Sequence, residues 1–221
     1  MKTLPIVLVV VFGIGFGSPQ RAVAEEFAYT ALKTRLNKGE VVDFKAARLA
    51  FAETEGYHPN SAATLDFRKR LQAALDAQKF TEALKIADAW LADEYLNPFA
   101  QMGAARAHEG LGHKAETNLH RRIVQGVADS ICAPGQGQSA DAPCVVLSID
   151  EELFYLAQHH FGLQSQFGVE CKNNIPCNVY EVTEHSTNSI YRLYFDISRP
   201  YAYLQRHAKP LPAPAADPST K

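Results

Sequence analysis

The hydrophobic period changes once along this chain, and that change limits the folds open to it. From Glu26 to about Gly126 the apolar residues recur at the three- and four-residue spacing of amphipathic helices. Beyond Val145 they fall into short runs and two-residue alternation. Helices gathered first and strands gathered after them define an α+β class.

The helical region is assigned to residues 25–128. Phe27, Ala31, Leu32 and Leu36 give a first amphipathic stretch that stops at Gly39. Asp43 has the character of an N-cap for a second helix. That helix is expected to turn Phe44, Ala47, Leu49 and Phe51 inward and to break at Gly56-Tyr57-His58-Pro59-Asn60. Four more helices follow: about Leu65 to Ala77, Thr81 to Ala92, Asn97 to Leu111-Gly112, and Lys114 to Val127. Asn97-Pro98 is a cap followed by proline at the first helical position.

The turns at Gln78 and Gly112 lie 34 residues apart, which is the tetratricopeptide period. Phe80, Ala83 and Ala87 have the texture of that repeat's second helix, where small side chains admit a close neighbour. In the following unit Thr117 and Arg121 stand where alanines belong. Two such units need capping to be stable. The preceding helices and the C-terminal half can supply it.

Residues 129–208 form the second region. Gly135-Gln136-Gly137-Gln138-Ser139 is too polar and glycine-rich for a regular element. Val145–Leu147 makes a short strand, and Ser148 with Glu151 forms a capping box. The helix it starts runs to about His160, buries Leu153, Leu156 and Ala157, and ends at Gly162. Strands are expected at Leu163–Glu170, Asn178–Glu184 and Ile190–Ile197, as an antiparallel meander with a short helix packed on it. Residues 209–221 carry four prolines and have the composition of a disordered or polyproline tail.

Residues 1–24 have the order of a secretory leader: Lys2, an apolar run from Leu4 to Phe16, then Ala22-Val23-Ala24. The run is shorter than the roughly 20 residues a membrane-spanning helix needs. A periplasmic or secreted protein beginning near Glu25 is expected, with no membrane span after leader removal. Lys2 and Arg21 leave with the leader, so the mature chain is more acidic than the whole chain's net −2. That balance gives no general attraction for nucleic acid.

All four cysteines lie beyond the leader, and an even number suits an oxidising compartment. Three pairings are possible. Cys132–Cys144 and Cys171–Cys177 are favoured because each pair brackets a short, turn-rich segment. Neither spacing is the C-x-x-C of a zinc or redox site. No metal or cofactor is expected.

The chain resembles an exported, tetratricopeptide-associated bacterial family catalogued as domain of unknown function 4919. The likeness rests on four stretches. They are Val42 to Phe51 with Tyr57 and Pro59; Leu111-Gly112 with His120 and Arg122 to Gly126; Ser130 to Ser139 with Val145–Ser148 and Glu151-Glu152; and Gly162 to Gln166 with Tyr194 to Ile197. This chain has Gln136 where the family pattern carries an acidic residue. The resemblance implies an exported life and a fold, and supplies no activity.

One constellation stands out as a ligand or partner surface: His120, Ser130, Gly135, Gly137, Ser139 and Glu151. The two glycines allow the loop's N–H groups to point at one ligand. Against this, a glutamate at a helix start is usually structural. Glu116 and His120 share a helix face at i, i+4, with His108 and His113 as the nearest further ligands, but no full metal motif is present. No catalytic fingerprint occurs. Two functions follow: a tetratricopeptide-like binding or adaptor module that takes an envelope protein or peptide, or a hydrolase-type enzyme using His120 with a nearby carboxylate.

Overall fold

The computed structural model describes residues 30–59 and 62–207. The expected leader, Phe27 and the proline-rich segment lie outside them. The fold is α+β: a helical half, then a four-stranded sheet and a last helix. No helix among the described residues is long and apolar enough to cross a membrane.

The helices are α1 (residues 30–37), α2 (Phe44–Phe51), α3 (Ala62–Asp76), α4 (Phe80–Asp93), α5 (Pro98–Gly110) and α6 (Lys114–Ile131). Both predicted caps form. Asp43 accepts from the Ala46 N–H, and Asn97 Oδ1 accepts from the N–H groups of Phe99 and Ala100. α6 continues past Val127 to Ile131, beyond the boundary drawn at residue 128.

One closing turn is used three times. After α1, the N–H groups of Lys38, Gly39 and Glu40 reach the carbonyls of Thr34, Leu36 and Arg35. After α3, Ala77, Gln78 and Lys79 reach Ala73, Leu75 and Ala74. After α5, Leu111, Gly112 and His113 reach Ala107, Glu109 and His108. The middle residue is left-handed each time: Gly39, Gln78 and Gly112 have φ of 78°, 55° and 79°. Such turns satisfy the last carbonyls of a helix and reverse the chain within three residues. The second and third copies keep the 34-residue spacing atom for atom.

α3, α4, α5 and α6 pack in succession, and α3 also touches α5. Ala83 and its counterpart Thr117 are both buried, so the second unit keeps the inward position although its residue is larger. α2 packs against α6, where the Phe44 ring lies on the Cβ-free backbone of Gly126.

The sheet order is β1-β4-β3-β2, with β1 at Cys144–Val145, β2 at Phe161–Cys171, β3 at Ile175–Glu184 and β4 at Ser189–Asp196. β2, β3 and β4 form the expected antiparallel meander, while β1 joins β4 in parallel. α7 (Ile149–Gln158) packs on α5, α6 and β2. Gly162 does not end α7 but lies within β2; His160, with φ of 55°, turns the chain instead. A helix that periodicity did not reveal, α8 (Ser198–His207), follows β4 and touches β3. One core runs through both halves, from Leu36 and Trp90 to Phe154 and Phe195.

Both favoured disulfides are present. Cys132–Cys144 ties the end of α6 to β1, and Cys171–Cys177 ties β2 to β3. The first closes a 12-residue separation. Replacing Cys132 and Cys144 together with alanine is expected to lower stability by about 3 kcal/mol from chain entropy, read from urea unfolding.

Candidate functional site

α2 is short, and its inward face departs from expectation. Ala47 and Arg48 are the buried pair, whereas Phe44, Leu49 and Phe51 are only half-buried. Arg48 is 1% exposed. A buried guanidinium is tolerated only when its charge and donors are matched. Here all five N–H donors have acceptors. Nε donates to Glu151 Oε1 at 2.8 Å, and one terminal nitrogen donates to Glu151 Oε2 and to the Val145 carbonyl. The other terminal nitrogen donates to the carbonyl and hydroxyl of Ser130 at 2.8 and 3.2 Å.

Glu151 also accepts from the Leu147 N–H at 2.7 Å. The capping box is therefore altered. Ser148 Oγ accepts from the Glu151 N–H, but the Glu151 carboxylate reaches back to Leu147 and across to Arg48 rather than to the Ser148 N–H. The Leu147 carbonyl accepts from Tyr57 Oη at 2.6 Å. Burial, with Glu151 nearby, pushes the Tyr57 phenol well above its usual range.

Glu151 is the middle of three buried acids that open α7, each engaged in a different direction. Asp150 pairs with Arg68 of α3 and accepts from Asn97 Nδ2, the cap of α5, at 3.0 Å. Glu152 accepts from Asn178 and from Tyr180 Oη of β3. Burial raises the Glu152 carboxyl above the ordinary value, against the pull of those two hydrogen bonds.

An open groove of about 520 Å³ lies beside this network and shares Ser130 and Val145 with it. Its walls are the approach to α2, the last turns of α6 and the start of the disulfide loop. Val41, Val42 and Phe44 make one apolar side, and Val41 is 91% exposed. Gln125, Asp129, Gln136, Lys45 and Arg122 supply polar lining. Arg122 fixes the wall by donating to the Gly39 carbonyl at 2.7 Å.

The six residues singled out from sequence do not converge. Ser130 and Glu151 meet on Arg48, and Ser130 also lines the groove. Gly137 is buried against the Cys132–Cys144 bridge. Its N–H donates to Ala142 and its carbonyl accepts from Tyr194. The Gln136 N–H is likewise engaged, with Ala133, so neither group points at a ligand. Gly135 is an exposed left-handed turn residue, and Ser139 is exposed on the same loop.

His120 sits ten residues before Ser130 on α6, about 15 Å along a helix axis. Its Nδ1 meets Gln101 Oε1, so Nδ1 carries the proton. Gln101 is held in that orientation because its Nε2 donates to the Tyr95 carbonyl. Burial first, then His108, lowers the His120 pKa to about 4.

Sequence reasoning grouped Glu152 with Glu151 but missed Arg48 and Asp150. Their signal was present: an arginine beside the inward Ala47, and three consecutive acids opening a helix after a strand. Against known proteins, no family model, curated protein or solved structure matches the chain at a significant level.

Arg48→Met is expected to cost about 3–5 kcal/mol, because it strands a buried carboxylate. Arg48→Met with Glu151→Met together should cost less than the sum of the single changes; urea unfolding of the four proteins measures the coupling. His120 gives a pH effect of defined sign. Its folded pKa, about 4, lies below the ordinary 6.5, so the folded state binds the proton less tightly than the unfolded chain. Its contribution is complete above pH 6.5 and is lost as pH falls towards 4. His120→Gln should flatten that part of a stability–pH curve.

Proposed function

We propose that the protein is an exported, tetratricopeptide-like binding module of the bacterial envelope, and that the groove between α2 and the end of α6 takes an extended segment of a partner protein. The observation that carries this reading is the groove itself. It gathers the exposed Val41 and the half-buried Val42 and Phe44 with the polar Gln125, Asp129 and Gln136, and it shares Ser130 and Val145 with the Arg48 network. Such a surface suits recognition by shape and apolar anchoring. The hydrogen bonds from Arg48 to Ser130 and Val145 hold that side of the groove in place.

Three further features support the reading. The repeated 34-residue turn and the successive packing of α3 to α6 fit tetratricopeptide-like hairpins. The two disulfides fit an oxidising compartment outside the cytoplasm. The bacterial envelope comes from the family resemblance alone. The hydrolase alternative loses ground because the His120 proton is directed at an amide, Gln101, rather than at a carboxylate.

A photo-crosslinking residue placed at position 41 tests the proposal. Expressed in the native host, it should capture a defined partner that the same residue at exposed Leu65 on α3 does not. Val41→Glu should remove that partner from co-purification while leaving the unfolding midpoint unchanged. Identical products from positions 41 and 65, or none from 41, count against the groove.

A further inference from the structure

The turn between α5 and α6 brings two histidine side chains into contact. The left-handed Gly112 folds the chain so that the His113 N–H bonds the His108 carbonyl at 2.9 Å. The side chains at those two positions then lie side by side, with His108 Nδ1 and His113 Nδ1 3.1 Å apart. His108 is half-buried and His113 is exposed, so the pair is open to solvent.

The other copies of the turn show what these positions ordinarily hold. After α1 they are Arg35 and Glu40, which form an ion pair at 3.0 Å. After α3 they are Ala74 and Lys79, at the carbonyl and N–H ends of the same backbone bond. The fold thus has no need for imidazole at either place. The α1 pair shows that the geometry drives the two side chains into contact, where opposite charges are rewarded. Two imidazoles are bases of the same kind. At 3.1 Å one Nδ1–H donates to the other ring's Nδ1 lone pair, and a cation can take that proton's place between them.

We propose that His108 and His113 form a two-point site for a divalent transition-metal ion of the imidazole-preferring class, zinc, copper or nickel. A tetrahedral ion with metal–nitrogen bonds of about 2.0–2.1 Å holds its nitrogens about 3.3 Å apart. The observed separation needs only a small opening to match. The site is pre-organised by the backbone bond beneath it and by His120, whose ring stacks on His108 at 5.3 Å and 16°. No group of three or more His, Cys, Asp or Glu among the described residues surrounds one point, so water completes the coordination. The site is separate from the groove, lying at the opposite end of α6 from Ser130.

Calorimetric titration of the full-length, untagged protein with zinc, copper(II) and nickel chlorides tests it. One ion per chain is expected for at least one metal. His113→Ala, at an exposed position, should weaken that binding by about tenfold or more, and His108→Ala with His113→Ala should abolish it. Copper(II) should also broaden the His108 and His113 ring resonances before those of His159 and His185. Failure of all three ions to saturate, or undiminished binding by the double variant with a native circular dichroism spectrum, overturns the proposal.

Discussion

A guanidinium removed from water must recover its hydration from fixed neighbours, and Arg48 does so with acceptors from three separate parts of the chain. Ser130 comes from the last turn of α6, Val145 from β1 and Glu151 from the first turn of α7. The guanidinium is fully hydrogen-bonded only when all three are in place around α2. Partial assembly would leave a buried charge unmatched, which is among the most destabilising defects a core can carry. The helical half and the sheet are therefore coupled through a charge as well as through their shared apolar core. Asp150 and Glu152 extend the same logic to α3, α5 and β3.

The groove borders that arrangement and shares Ser130 and Val145 with it. α2 lies close against α6 because Gly126 offers no side chain to Phe44. The Arg48 network ties α2 to Ser130 and Val145 on the groove's lining, and the Cys132–Cys144 bridge ties the following loop to β1. The loop's glycines serve this construction. Gly137 fits beneath the sulfurs and uses both backbone groups within the protein. A concavity held open by saturated polar contacts stays shaped without an occupant, which lowers the ordering cost of binding.

The recurring turn separates backbone from side-chain duty. The same three hydrogen bonds and the same left-handed residue close α1, α3 and α5. The side chains it brings together differ each time: an ion pair, an alanine with a lysine, and two histidines. Scaffold and surface chemistry can therefore vary independently at these positions.

Much of the architecture was legible from local pattern. Helix spans, the caps at Asp43 and Asn97, the repeat spacing, three strands and both disulfides follow from interactions between residues close in sequence. The altered capping box, the extra helix α8 and the turn at His160 did not follow, because each depends on contacts made elsewhere in the chain. Arg48 is the clearest case. An arginine in a helix is ordinarily solvated, and nothing near it in sequence announces Ser130, Val145 or Glu151 as partners. His120 and the glycine loop were grouped because they lie on neighbouring segments, yet a helix rises about 1.5 Å per residue and carries them apart. The sequence by itself determined the elements other than α8, their order and the crosslinks, since those are set by spacing and local geometry. The tertiary structure alone decided which polar groups are buried, which face each other and where a groove remains, since burial and Coulombic pairing act between residues that only folding brings within reach.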